Sequence, residues 1–175
     1  MTTAQNSYRG VIIFLVKFIG IYLVGNVSYG LFIEYYAPSP DPVTYFISEN
    51  VVALLNLFDE SITISSSKAS PYVSFVKENK TIINVFEGCN GLNVMIVYFS
   101  FLVAFKGKIK QTLVFACLGL VIIYVMNLFR VGALYEVALH FPAQLYFFHK
   151  YFFTALLYLA VFILWYFWVK QTSRA

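Results

Sequence analysis

The chain has 175 residues, 61% of them hydrophobic and 20% aromatic, against only 11% charged. A soluble fold of this size has too little interior to hide that much apolar surface, which excludes an ordinary water-soluble domain. The net charge of +4 comes mainly from lysines and arginines at the ends of apolar runs, and no basic face for nucleic acid stands out.

Apolar runs approaching or exceeding the roughly 20 residues needed to cross a bilayer organise the chain. The expected fold is an α-helical integral membrane protein, one membrane domain over residues 1–175, with four spans at 11–33, 90–105, 112–130 and 150–169. The first span follows Arg9 and contains Lys17, Gly20, Gly25 and Gly30. It is too long for a cleaved signal and no small-residue cleavage pattern follows it, so it is kept as an anchor. Lys17 lies near one end and can snorkel.

A polar loop at 34–88 comes next, expected to be folded. Asp41-Pro42 is a helix start, with Asp as N-cap and Pro at the first helical position. Apolar residues recur at Val43, Phe46, Ile47, Val51, Leu54, Leu55 and Phe58, one stripe of an amphipathic helix lying on the membrane or capping the spans. The stretches 61–65, 72–76 and 81–86 are rich in β-branched and aromatic residues and suggest a hairpin or three-stranded ribbon. Gly88 then permits a sharp turn, and a short second span begins at Asn90 or Gly91.

Lys106, Lys108 and Lys110 crowd the link to the third span, which Arg130 closes. Pro142 ends the helical extension beyond Arg130, leaving His140 in a connector, and His149 opens the last span. Lys170 and Arg174 follow it. By contrast, the loop 34–88 has seven acids against three lysines. The positive-inside rule therefore puts both termini and the lysine-rich link in the cytoplasm, and the acidic loop outside.

That orientation brings Cys89, Arg130 and His149 to one outer membrane face. A thiol at a helix N-terminus faces unpaired amides and the positive end of the dipole, which favours the thiolate; the same amides suit an oxyanion. Asn93, one turn below, is expected to join that pocket, and Asn127 shares a helix face with Arg130. Arg130 can lower the thiol pKa, bind a carbonyl or carboxylate, or steady developing negative charge. His149, preferred over His140 because a span anchors it, is suited to general acid–base work. Cys117, mid-span, is read as structural, and the two cysteines give no Cys-x-x-Cys. No cofactor or metal site is expected.

Three blocks, Glu87-Gly88-Cys89-Asn90-Gly91-Leu92, Asn127-Leu128-Phe129-Arg130-Val131 and Phe148-His149, resemble the exosortase/archaeosortase family of membrane transpeptidases. The resemblance runs from about Thr81 to the C-terminus, and the short length looks most like the compact exosortase F type. Asn90 departs from the Ser or Thr frequent there. The resemblance implies a bacterial inner-membrane enzyme that cleaves secreted proteins carrying a C-terminal motif, a transmembrane helix and a basic tail. It further implies Cys89 as nucleophile through a thioester, His149 as base and acid, Arg130 as orienting cation, and an envelope glycan or lipid, or water, as acceptor. Two other classes are weighed against it: a non-catalytic membrane subunit or chaperone, and a small channel, for which the spans offer few polar groups.

Overall fold

The computed structural model describes residues 2–58, 61–105 and 107–172, with side chains from Tyr8 onward. Asp59, Glu60, Lys106 and Arg174, used above for charge bias, lie outside the described residues. Helix α1 runs from Thr2 to Tyr36, past both ends of the expected first span. Helix α2, Pro42–Leu55, starts where Asp41 caps it: Asp41 Oδ1 accepts from the amides of Val43 at 2.9 Å and Thr44 at 3.0 Å. Strands β1 (Ile62–Ser66), β2 (Tyr72–Lys77) and β3 (Lys80–Phe86) form one antiparallel sheet in the order β1-β2-β3, the three-stranded ribbon of the sequence reading. Glu78 and Asn79, both at positive φ, turn β2 into β3. A 3₁₀ turn, Glu87–Cys89, leads into helix α3, Leu92–Ala104.

Helix α4 is unbroken from Ile109 to His140. The helical extension expected beyond Arg130 is therefore present and runs for roughly three turns, taking in His140. Those turns persist because their apolar side chains are buried against protein: Val131, Leu134 and Tyr135 are buried, and Val131 and Tyr135 join the cluster of α2 and the sheet. Pro142 starts a new 3₁₀ turn (Pro142–Gln144), followed by a single α turn, α5 (Leu145–Phe147), a π turn (Phe148–Phe152) and helix α6 (Phe153–Thr172).

Two cores result. The first joins α2, the sheet and the distal part of α4 through Ile47, Val51, Phe75, Val85, Val131 and Tyr135. This is why the stripe on α2 is apolar: it packs on protein through Ile47, Val51 and Leu55, while Phe46 and Phe58 stay exposed. The second lies among α3, α4 and α6, around Tyr98, Leu102, Ile123, Val161 and Trp168. Helix α1 crosses α3 closely, since a Cβ on Gly25 would sit 2.7 Å from Ile96 Cγ2.

Outside these cores, α1, α4 and α6 present a continuous array of exposed Val, Leu, Ile and Phe, the surface a lipid-facing helix carries. Three helical segments, Tyr8–Tyr36, Ile109–His140 and Pro142–Thr172, are long and apolar enough to cross a membrane. With 13 residues, α3 is about 20 Å long, short of a typical hydrocarbon core.

Candidate active site

The site is built around the junction of β3 and α3. Gly91 is the N-cap of α3 and lies in the left-handed region at φ 80°. A Cβ there would also sit 2.9 Å from Asn127 Cγ, so both backbone conformation and space require glycine. Gly88, the residue expected to make the turn, has open space around it and no positive φ; the demand for glycine falls three residues later. The left-handed step also breaks the helical phase between Cys89 and α3. Asn93 is exposed and makes no hydrogen bond to Cys89 among the described residues.

Asn90 is almost fully buried, at 1% exposure, and acts as a brace. Its Nδ2 donates to Tyr29 Oη at 2.8 Å and to Thr44 Oγ1 at 3.1 Å, while its Oδ1 accepts from the Leu92 amide at 2.9 Å. The Tyr29 hydroxyl donates on to the Glu87 carbonyl at 2.9 Å, and the Thr44 hydroxyl to Asp41 Oδ2 at 2.5 Å. Every group in this chain thus gives and receives consistently, tying α1, α2 and the start of α3 together. The sequence reading missed Tyr29, Thr44 and Asp41 as supports; the cap at Asp41 was visible, its connection to Asn90 was not. The brace also takes up the Leu92 amide, one of the amides at the start of α3.

Asn127, fully buried on α4, donates from Nδ2 to the Cys89 carbonyl at 2.9 Å. Its Oδ1 accepts from a guanidinium nitrogen of Arg130 at 3.4 Å, as the three-residue spacing suggested. The Nε of Arg130 is buried without a hydrogen-bond partner, and no carboxylate among the described residues forms a salt bridge with it. An uncommitted buried cation donor of this kind costs free energy unless something occupies it.

Cys89 Sγ lies 3.2 Å from His149 Nε2, across 60 residues of sequence. The π turn that carries His149 accepts a hydrogen bond from Thr154 Oγ1 at the His149 carbonyl, 3.0 Å. Such turns are rare and frequently occur at functional sites. His140, the alternative base, instead stands beside Glu136 at 3.4 Å, exposed at the end of α4. Cys117 is exposed on the apolar flank of α4 among Leu113, Val114 and Val121.

The electrostatics correct one expectation. Burial pushes the Cys89 thiol above its ordinary value; the Arg130 charge and a hydrogen bond from the Phe86 backbone pull it down but do not win, and Glu87 adds to the rise. Cys89 therefore rests as a thiol, which would need a base to act as a nucleophile, and His149 is in contact with it. Arg130→Gln removes the opposing charge, so the thiol pKa rises further. Alkylation of Cys89 by iodoacetamide should then be several-fold slower at neutral pH, with its pH profile displaced upward and the alkaline plateau unchanged. An identical profile in the variant would show that Arg130 does not act on the thiol.

Cys89 and His149 sit at one end of an open cleft of about 740 Å³. One wall is the whole run Thr81–Phe86 of β3; the other includes Pro142, Leu145 and Tyr146, and Val131 and Leu134 of α4 also line it. Arg130 and Asn127 do not line the cleft. Among the described residues no three His, Cys, Asp or Glu side chains are grouped to hold a metal ion.

Long apolar helices beneath a small folded cap, with a thiol against an imidazole in a cleft of that cap, define a multi-pass membrane protein with a candidate cysteine–histidine site. The family model of the transmembrane exosortases matches residues 14–168, and the chain belongs to that family, a family of cysteine transpeptidases. No curated protein and no solved structure matches the chain.

Proposed function

We propose that the protein is a membrane transpeptidase that cleaves the C-terminal sorting signal of secreted proteins on the extracytoplasmic side. The observation that carries this reading is the 3.2 Å contact between Cys89 Sγ and His149 Nε2 at the end of an open cleft. Cys89 attacks the peptide carbonyl as its proton passes to His149, forming a carbon–sulfur bond. The carbonyl oxygen gathers negative charge, which the positive charge of Arg130, near enough to act on both Cys89 and His149, offsets through space. On collapse the carbon–nitrogen bond breaks, and His149 returns the proton to the departing amine, leaving a thioester on Cys89. An amine or hydroxyl of an envelope acceptor, or water, then attacks the thioester and frees the thiol.

In this reading α3 is also a span, the second of four, with the remaining thickness taken up by its tilt and by the loop ends. Both termini and the Lys108–Lys110 link face the cytoplasm of a bacterial inner membrane, and the α2–sheet cap faces outward. The substrate in this reading carries a C-terminal motif, a transmembrane helix and a basic tail, the signal that the resemblance implies. A membrane-impermeant maleimide tests the orientation. It should label Cys89 from the outer side of intact cells and leave Cys117, on the lipid-facing flank, unlabelled. Labelling of Cys89 only after the cytoplasm is opened would overturn both topology and mechanism. Cells carrying Cys89→Ala should accumulate a membrane-bound precursor with its C-terminal helix intact.

A further inference from the structure

β3 is an edge strand: β2 pairs with one side of it, and no strand among the described residues pairs with the other. The cleft lies along that free side. A cleft over the face of a sheet would be lined by alternate residues, because side chains alternate across a strand. Here six consecutive residues, Thr81 to Phe86, line it, which is the signature of a backbone edge. The hydrogen-bond directions agree. The Phe86 backbone donor is spent on the Cys89 sulfur, so it points away from β2. Two residues back, the Asn84 amide shares that side. Its partner across the ladder is Ser74, and their side chains meet at 2.8 Å, as in the closely spaced pairs whose amides point outward. Ile82 is the extra residue of a bulge opposite Phe75 and Val76, which interrupts the ladder at the end of the cleft away from Cys89.

An exposed edge of this kind is ordinarily blunted or covered. This one is left open inside a slot whose far end holds the thiol. We infer that the substrate binds by strand addition: the residues preceding the cleaved bond lie extended along the free edge of β3, hydrogen-bonded to it through main chain. The inference rests on the transpeptidase reading. It also sets a direction. The upstream residues occupy the Thr81–Phe86 edge and the carbonyl to be attacked reaches Cys89, so the substrate strand runs parallel to β3. Its downstream part then leaves past the start of α3, where a membrane-bound helix would have to lie. Main-chain pairing supplies affinity, and the opposite wall at Pro142, Leu145 and Tyr146 contacts alternate side chains.

The test uses the full chain in lipid nanodiscs and synthetic peptides spanning the cleaved bond of the precursor that Cys89→Ala cells accumulate. Each peptide is N-methylated at one backbone amide. Strand addition requires an alternating pattern, with about tenfold loss of kcat/KM at every second upstream amide and little change between. On the enzyme, Asn84→Pro removes one outward amide and spares the β2 ladder. It should lower peptide cleavage about tenfold and leave Cys89 alkylation by iodoacetamide at the parent rate. A flat N-methyl series, or one sensitive position alone, overturns strand addition and leaves the transpeptidase reading standing. Failure to cleave the unmodified peptide, with Cys89 still alkylated normally, overturns both.

Discussion

Replacing Cys89 with alanine is expected to abolish processing, by about 10³-fold or more, because the covalent route disappears with the sulfur. The fold should survive, since the side chain is small and the braces at Cys89 are backbone contacts: Asn127 holds its carbonyl. His149→Ala should cost about 10²- to 10⁴-fold, the usual contribution of a positioned base. The two losses should not add in the double variant, because a base without a nucleophile has nothing to do. Cys117→Ala should leave processing unchanged, its thiol lying on the outer flank of α4. Precursor processing in cells and iodoacetamide labelling of the purified variants read all four. Full processing by Cys89→Ala would support the competing reading of a non-catalytic subunit.

The second large effect is expected at Gly91. An alanine there must hold φ near 80°, which costs about 1–2 kcal/mol for a residue with a Cβ. Its methyl also falls 2.9 Å from Asn127 Cγ, so Asn127 must move, and with it the bond that positions the Cys89 carbonyl. Misplacing a nucleophile by about 1 Å can cost 10²-fold, so Gly91→Ala should lose activity well beyond its loss of stability. Gly88→Ala, three residues earlier, meets open space at ordinary φ and should be close to neutral in both. Thermal midpoints in detergent together with processing assays separate the two. Equal behaviour of the pair would show that the packing of Gly91 on Asn127 does not position the thiol.

These two glycines show where sequence reasoning stops. From Glu87-Gly88-Cys89-Asn90-Gly91 a turn is legible, but which glycine bears the left-handed step depends on what packs over it. That partner is Asn127, 36 positions away in sequence from Gly91. The misplaced step carried a further expectation with it, the thiol at an open helix N-terminus. Arg130 differs: the helical extension from it to Pro142 was legible, but not what that extension packs on, and Val131, Leu134 and Tyr135 meet protein there. Composition cannot distinguish apolar side chains facing lipid from those facing a folded cap.

Local pattern by itself determined much of this protein. Hydrophobic runs defined its membrane class, Asp41-Pro42 and the stripe after it defined the capped helix α2, and β-branched alternation defined the three strands. These are short-range properties, set by helical and strand periodicity and by the cost of exposing apolar surface. Only the tertiary structure decided the 3.2 Å contact of Cys89 with His149, the π turn beneath that histidine, the Asn90 brace, and the burial that keeps the thiol protonated. Each of these arises where chain segments distant in sequence share one small volume, and desolvation and hydrogen-bond pairing there depend on every neighbour at once.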